Sequence, residues 1–313
     1  MIALRTPAFW YRAPGVAAAL LSPLSWVWLA AAAMRRALAH PYTSSIPVIC
    51  VGNVAMGGAG KTPTAIALLE ASGASNPCFL TRGYRGATRQ PILITEANAS
   101  VHGDEAVLLA RHAPVIVAAK RADGLKLAEQ RGFDLVIADD GFQNPHFTKT
   151  SSVLVFDGAI GVGNGACFPA GPLREKLDSA LRRAQVAIIV GHDATHLRDA
   201  LRGIRVFNAR LTATMQGHGR YVAFAGIGRP QKFFDTLSDA GFSIADRVSF
   251  PDHYRYTAQD IDALNALAQR YNARLITTEK DRVRLPASAD IDTLPVQMEI
   301  EDMPGLLAVL GGA

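Results

Sequence analysis

A glycine-rich turn at residues 55–62 carries the side chains best suited to hold a phosphate. Its spacing matches the loop G-x-x-x-x-G-K-S/T, except that Ala55 stands where the first glycine is usual. In such a loop several backbone N–H groups converge on a phosphate, the lysine bridges the β- and γ-phosphates, and the hydroxyl ligates Mg²⁺. We therefore predict a nucleoside triphosphate site, with an ordinary strand-to-helix turn as the alternative. The predicted contacts are Ala55, Met56, Gly57, Gly58, Ala59, Gly60, Lys61 and Thr62.

Two pairs of adjacent acids accompany this loop. Asp139 and Asp140 end the apolar run LVIADD, where two carboxylates would be costly without a cation, so we predict that they bind the metal. A solvated turn is the alternative. Asp104 and Glu105 open the helix-like run GDEAVLLARHA, and the sequence leaves two interpretations open: a helix N-cap followed by a first-turn glutamate, or a catalytic role.

The remaining motifs separate classes of phosphate-loop protein. The GTPase elements D-x-x-G and N/T-K-x-D have counterparts here only at the wrong spacing. A small-molecule kinase needs a base for its acceptor hydroxyl and cations for the transferred phosphoryl group. Asp104 is a candidate base, and Arg82, Arg85 and Arg174 are candidate cations. The alternative is an NTPase of the metal-insertion or partitioning type, whose hydrolysis drives a conformational change.

Alternating strand-like and helix-like segments must position these residues. Strand-like runs are IPVICVGNV, PCFLTRGY, PILIT, APVIVAA, FDLVIADDG and SSVLVFDG, then VAIIVG, RYVAFAGIG, FSIADRVSF, ARLITTEKD and LPVQMEI. Helical patterns cover residues 61–72 and 121–130. This order predicts an α/β fold with a mainly parallel, phosphate-loop NTPase-like sheet, helices on both faces, and a second, smaller α/β domain. We expect an N-terminal segment at 1–45, an ATP-binding domain at 46–160 and a second domain at 161–313, with a hinge at 158–172.

The N-terminal segment is unusually apolar. Residues 13–34 contain no charged side chain, whereas arginines precede and follow them. Pro23 interrupts the run, and the basic flanks favour a helix lying in an anionic membrane face. A helical hairpin packed on the protein core is the alternative. A secretory signal is disfavoured, because a triphosphate site would be useless outside the cell.

Composition adds broad limits. The chain has 313 residues, of which 49% are hydrophobic and 19% charged, so it is globular rather than disordered. A net charge of +5 favours anionic partners, but no arginine-rich run with interleaved aromatics indicates nucleic acid. Cys50, Cys78 and Cys167 lack metal-ligand spacing and are expected to be buried thiols.

Seven motifs occur in a fixed order after the apolar segment: GNVAMGGAGKTP, TRGYRG, GDEAVLLA, DDGFQN, FPAGPLRE, FPDHYRYT and TTEKDRVRL. In this order they resemble the tetraacyldisaccharide 4'-kinases, also called lipid A 4'-kinases. The resemblance covers nearly the whole chain. One departure is Tyr254, which stands where a second histidine is common after His253.

The resemblance implies an activity and a location. The γ-phosphate of ATP, with Mg²⁺, would go to the 4'-hydroxyl of an acylated glucosamine disaccharide 1-phosphate, a lipid A precursor. The protein would be peripheral or monotopic at the cytoplasmic face of the inner membrane. Its partners would be this lipid and the membrane surface, with neither nucleic acid nor an obligate protein partner.

The resemblance also implies roles for single residues. Asp104 would be the base, assisted by His253, and Lys61 and Arg174 would neutralise phosphate charge. The metal would be held or oriented by Thr62, Glu105, Asp139 and Asp140. From the residues alone, His253 is equally well a helix cap and Arg174 a surface residue.

Overall fold

The computed structural model describes residues 7–83, 90–94 and 102–311. Its strands form two separate sheets. The strands are β1 (Val48–Gly52), β2 (Pro77–Thr81), β3 (Ile92–Ile94), β4 (Val115–Val117), β5 (Leu135–Asp139), β6 (Ser151–Asp157), β7 (Val186–Val190), β8 (Arg205–Ala213), β9 (Arg220–Ala225), β10 (Ser243–Ser249), β11 (Arg274–Thr278), β12 (Asp292–Leu294) and β13 (Val296–Ile300). Every predicted strand-like run contains a strand, whereas β8 and β12 lie in sequence that we did not predict as strands.

The larger sheet has the order β13-β8-β7-β6-β1-β5-β2-β4-β3. It is parallel except at its edges, where β3 and β13 run antiparallel to their neighbours. This confirms the predicted mainly parallel α/β fold. Because β1 and β5 are direct neighbours, with Val51 paired to Asp139, the glycine-rich turn and the acidic pair leave the sheet side by side.

The smaller sheet has the parallel order β10-β9-β11-β12. We call residues 220–294 the second-sheet unit, and the large sheet with its covering helices the large-sheet unit. The change of sheet lies later in the chain than the expected boundary at residue 161, because β7 and β8 still extend the larger sheet. The chain then returns to the larger sheet through β13, which pairs with β8. The hinge at 158–172 stays a prediction, and that segment lies between two strands of the larger sheet.

Helices cover both sheets. Besides a 3₁₀ turn at Ala8–Tyr11, the described residues form α1 (Val16–Ala37), α2 (Lys61–Ala71), α3 (Asp104–Leu109), α4 (Arg121–Gln130), α5 (Leu177–Leu181), α6 (Leu197–Ala200), α7 (Pro230–Asp239), α8 (Ala258–Arg270), α9 (Glu279–Arg282) and α10 (Met303–Leu310). Each sheet has an apolar cluster on either face. Cys50, Cys78 and Cys167 are buried and unbridged, as predicted.

Helix α1 stays largely outside these clusters. It is the one helix among the described residues that is long and apolar enough to cross a membrane by length and composition, and only 11% of its apolar window is buried. Leu20, Trp26 and Val27 are 74%, 71% and 66% exposed. Its other side is held to the protein by the Ser25 hydroxyl, which donates to the Cys167 carbonyl at 2.8 Å, and by Arg36, which pairs with Glu175 at 3.0 Å. The helix is therefore attached along one side and open along the other.

Candidate active site

The glycine-rich turn adopts the backbone geometry of a phosphate-binding loop. Gly57 and Gly60 have φ of +123° and +94°, which side chains with a Cβ rarely adopt. Gly60 precedes α2, so Lys61 and Thr62 occupy the first helical turn with Pro63 after them. Pro63 is tolerated there because N–H groups in the first turn have no helical acceptor.

The two ends of the turn have different surroundings. Residues 57–62 line the main cleft of the molecule. Ala55 forms an isolated β-bridge with Leu173, and the Met56 N–H donates to the Pro172 carbonyl at 2.8 Å. The predicted contacts at Ala55 and Met56 thus lie where the turn is tied to the segment that carries Arg174.

Asp139 lies next to the loop and is buried, with 1% of its surface exposed. The Thr62 hydroxyl donates to its Oδ2 at 2.8 Å, whereas its Oδ1 is buried without a hydrogen-bond partner among the described residues. Burial, followed by the negative charge of Glu105, raises the pKa of the Asp139 carboxyl to about 7. A buried carboxylate with an unused oxygen beside further acids fits a cation at this point.

The structure does not present a cage made by the protein alone. No group of three or more His, Cys, Asp or Glu side chains with metal-binding geometry occurs among the residues it describes. Mg²⁺ in nucleotide sites usually keeps several waters and takes substrate phosphate oxygens together with one or two protein ligands. Thr62 and Asp139 fit that role.

Asp140 faces two cations. Its backbone is left-handed, with φ of +53°, and its Oδ1 lies 3.8 Å from Lys61 Nζ and 3.3 Å from Arg174 Nη1. Burial raises the pKa of the Asp140 carboxyl, but the charges of Lys61 and Arg174 outweigh that effect and hold it below its ordinary value. Arg174 therefore belongs to the site and is not an isolated surface residue.

Asp104 and His253 meet across the two sheets. His253 Nδ1 lies 3.1 Å from Asp104 Oδ2, and Arg284 Nε lies 3.0 Å from the same oxygen. Burial raises the pKa of the Asp104 carboxyl, but the hydrogen bond from His253 and the charge of Arg284 outweigh it, so the pKa is lowered. The neighbouring Glu105 pairs with Lys280 at 3.0 Å.

The helix caps argue against the capping interpretations, whereas the catalytic roles of Asp104 and His253 stay predictions. Gly103, not Asp104, is the N-cap of α3, and no side chain caps that helix. His253 does not cap α8 either, because Thr257 does so through a capping box with Asp260. Both side chains are directed instead to the contact between the units.

A buried cation also lines the cleft. Arg121, the first residue of α4, is 4% exposed; its Nη1 donates to the Ala118 carbonyl at 2.8 Å, and its Nε has no partner among the described residues. Burial lowers the pKa of its guanidinium to about 10. Arg82 also lines the cleft, whereas Arg85 lies outside the described residues.

The sequence interpretation missed Arg121, Lys280 and Arg284 as members of the site. Lys280 and Arg284 belong to the motif TTEKDRVRL, so the basic residues of that motif were the available signal. The cleft has a volume of about 1580 Å³ and is lined by residues of both units, among them Lys61, Asp140, Arg174, His253 and Lys280.

Helix α1 touches the same site from outside. Trp28 Nε1 donates to the Arg174 carbonyl at 2.9 Å, and the Trp28 ring packs edge-on against Phe168 at 5.1 Å. The apolar helix is thus in direct contact with the loop that presents Arg174 to Asp140.

Comparison with known proteins identifies relatives over the full length of the chain. The family model described as tetraacyldisaccharide-1-P 4'-kinase matches residues 17–312. A tetraacyldisaccharide 4'-kinase of Parvibaculum lavamentivorans is 45% identical, with 99% of this chain and 98% of the relative covered. One of Methylobacterium nodulans is 44% identical, with 99% and 97% covered.

A solved structure shares the fold. It is the "apo" form of LpxK from Aquifex aeolicus in complex with ATP, which superimposes with a TM-score of 0.77 at 23% sequence identity. The match covers 94% of this chain and 98% of that one.

Proposed function

The chain belongs to the tetraacyldisaccharide-1-P 4'-kinase family and is a kinase, and on that premise we propose its substrates and mechanism. It transfers the γ-phosphate of ATP to the 4'-hydroxyl of an acylated glucosamine disaccharide 1-phosphate. The large-sheet unit binds ATP, and the second-sheet unit completes the site with His253.

One observation carries this proposal: Asp104 and His253 are in contact at 3.1 Å, and His253 lines the same cleft as the phosphate loop. An NTPase that only hydrolyses its nucleotide needs to bind and orient a water molecule. A carboxylate paired with an imidazole opposite a phosphate loop supplies what an alcohol acceptor needs, namely a base and a group that orients it.

The residues divide the reaction between them. The acceptor oxygen forms a bond to the γ-phosphorus while the bond from that phosphorus to the β–γ bridging oxygen breaks, which releases ADP. Asp104 accepts the hydroxyl proton, and His253 orients the carboxylate and stabilises the proton there. Lys61 and Arg174 neutralise the charge that spreads over the transferred group. Closure of the two units excludes water, which would otherwise compete as acceptor.

Mg²⁺ fits the Thr62–Asp139 contact described above, with Glu105 and Asp140 beside it. When bound there, it would neutralise the charge of the phosphate groups. Arg121, a buried cation whose Nε has no described partner, fits an anionic ligand in the cleft as well.

The acceptor lipid also explains the exposed face of α1. Transfer of acyl chains from a bilayer to water has a high free-energy cost, so the enzyme must bind the acceptor at the membrane. We propose that this is the cytoplasmic face of the inner membrane, which the need for ATP and the unbridged cysteines support. Since α1 is held to the protein by Ser25, Trp28 and Arg36, we propose that it lies in the membrane surface as a peripheral or monotopic contact.

The test uses γ-labelled ATP and the acylated disaccharide 1-phosphate in mixed micelles. Label in the lipid fraction is expected, and it should vanish when the acceptor lacks its 4'-hydroxyl. Label that appears only as inorganic phosphate, at a rate independent of acceptor, would overturn the kinase assignment and support the hydrolytic NTPase.

A further inference from the structure

Two cations of the second-sheet unit contact adjacent acids at the start of α3. Lys280 Nζ lies 3.0 Å from Glu105 Oε1, and Arg284 Nε lies 3.0 Å from Asp104 Oδ2. Lys280 and Arg284 are four residues apart, so both belong to the short segment formed by α9 and the residues after it. This segment contacts the acid that we propose as base.

Arg284 is buried and makes several contacts at once. Only 6% of its side chain is exposed, and its Nη1 donates to the carbonyls of Gly226 and Tyr254, both at 3.1 Å. Its Nε donates to the Lys280 carbonyl at 3.2 Å, so the 3.0 Å approach of Nε to Asp104 is an ion pair and not a hydrogen bond. Its Nη2 lies 3.1 Å from Asp281 Oδ1, also an ion pair without hydrogen-bond geometry. Asp281 is itself fully buried and accepts from the Gly226 N–H at 3.0 Å.

These backbone contacts lie on both sides of His253. The His253 N–H donates to the Gly226 carbonyl at 3.0 Å, and Tyr254 is the next residue in the chain. His253 has φ of +56°, an uncommon conformation for a residue with a Cβ, so the surrounding contacts must hold it. Arg284 supplies two of those contacts, because it binds the carbonyls of Gly226 and Tyr254.

The contacts at Asp104 are one-sided. Both His253 Nδ1 and Arg284 Nε approach Oδ2, and Oδ1 has no hydrogen-bond or ion-pair partner among the described residues. A carboxylate fixed through one oxygen presents the other in a defined direction. That second oxygen is the one left to accept a proton.

We propose that Arg284 is a positioning residue for phosphoryl transfer. It orients Asp104 through Oδ2, so that Oδ1 faces the acceptor hydroxyl, and the same guanidinium holds the backbone on both sides of His253. The inference deepens the proposed function and rests on it. Lysine cannot replace it, because an ammonium lacks the planar array of donors that reaches a carboxylate and two carbonyls together.

The test compares Arg284→Lys and Arg284→Ala with Arg282→Ala. Arg282 is the matched control: it lies two residues away, and its guanidinium binds the carbonyls of Pro286 and Ala287 outside the cleft. We expect kcat of both Arg284 variants to fall about a hundredfold, the loss that a misplacement of about 1 Å can cause. The KM for ATP should stay within about threefold, because the nucleotide contacts lie on the other unit. Arg282→Ala should retain both constants.

Two further measurements separate positioning from mere stability. Added guanidinium should restore part of kcat to Arg284→Ala, since it can occupy the vacated site. In a His253→Ala background, Arg284→Lys should lower kcat by a smaller factor than it does in the wild type, because the Asp104–His253 pair that Arg284 positions is already incomplete. Arg284→Lys keeps a charge beside the buried Asp281, so it remains informative if Arg284→Ala unfolds.

Several outcomes would overturn the inference. They are a wild-type kcat in folded Arg284→Lys, a loss confined to the KM for ATP, the absence of guanidinium rescue in folded Arg284→Ala, or equal costs in the two backgrounds. The wild-type enzyme controls for the proposed function itself. If it labels no lipid, the kinase proposal fails first; if it labels lipid while Arg284→Lys behaves normally, only the role of Arg284 fails.

Discussion

The phosphate side and the acceptor side of the cleft are built by different means. On the phosphate side, the glycine-rich turn and Asp139 leave adjacent strands of one hydrogen-bonded sheet. On the acceptor side, Asp104 and His253 are 149 residues apart and meet only through side chains across two sheets. The first arrangement is held by backbone pairing within one sheet, whereas the second depends on how the two units meet. A substitution on the phosphate side should therefore remove a group that acts in the reaction by itself. The effects of substitutions on the acceptor side should not be additive, because its residues depend on one another.

Lys61→Ala should have the largest effect. It removes a cation aimed at the transferring phosphate, and kcat should fall about a thousandfold, the upper range for loss of one electrostatic donor. The thermal unfolding midpoint should change little, because the side chain lies at the cleft and its one described ion pair, with Asp140, spans 3.8 Å. Label transfer and calorimetry measure the two quantities, with the exposed Lys126→Ala as control. A near-normal rate would refute the phosphate-loop assignment.

Asp104→Ala and His253→Ala come next and test the acceptor side. Each should lower kcat about a hundredfold, and the double variant should lose little beyond the worse single one, because the two act as a unit. Multiplied losses would instead show independent roles. His218→Ala, on an exposed residue between β8 and β9, is the control.

The pH profile of His253→Ala gives a second check on the same pair. Three groups lower the pKa of Asp104, namely His253, Arg284 and Lys280. Removing His253 should raise that pKa, so the acidic limb of kcat should move to higher pH, where the base is again ionised. A wild-type profile and kcat would leave His253 without a role in the reaction.

Asp139→Asn and Asp140→Asn sharpen the comparison within the phosphate side. Asp139 accepts a hydrogen bond from Thr62 and has one oxygen without a partner among the described residues, whereas Asp140 forms ion pairs with Lys61 and Arg174. We therefore expect the Mg²⁺ concentration for half-maximal rate to rise about tenfold or more in Asp139→Asn and less in Asp140→Asn. Titration of Mg²⁺ at fixed ATP measures this. The reverse order would make Asp140 the ligand, and no shift in either would remove both residues from the metal site.

The smallest effects should come from α1. Changing Leu20, Trp26 and Val27 to serine should weaken binding to anionic phospholipid vesicles several-fold, by loss of exposed apolar area, without altering ATP binding. Trp28→Phe is the matched variant: it removes the N–H that binds the Arg174 carbonyl but keeps an apolar ring. It should retain vesicle binding and change only kcat. If the triple variant sediments with vesicles as the wild type does, the exposed face is not the membrane contact.

The sequence predicts the phosphate side better than the acceptor side for a physical reason. A strand, a glycine turn and a helix are local, so Gly60, Lys61 and Thr62 could be assigned from consecutive residues, and α4 was predicted at its observed bounds. Arg284 illustrates the opposite case. Its contacts with Asp104, Gly226 and Tyr254 depend on the docking of two sheets, which no periodicity encodes.

The change from the larger to the smaller sheet lies later in the chain than the expected boundary at residue 161, and this difference has a similar cause. Strand β8, RVFNARLTA, alternates polar and apolar residues at the sheet's flank and lacks the continuous apolar run of the central strands. Strand β12 is only three residues long. Both were therefore missed. Without β8, nothing in the sequence showed that β7 and the chain after it still belong to the larger sheet.

The return of the chain through β13 has a mechanical consequence. The second-sheet unit is joined to the larger sheet by two connections, residues 214–219 and the single residue Pro295, and these leave paired neighbouring strands. A body held at two adjacent points can swing about the line through them, and we expect this rotation to be its easiest motion. His253 would approach Asp104 along one arc each time, and little orientational search would precede each turnover.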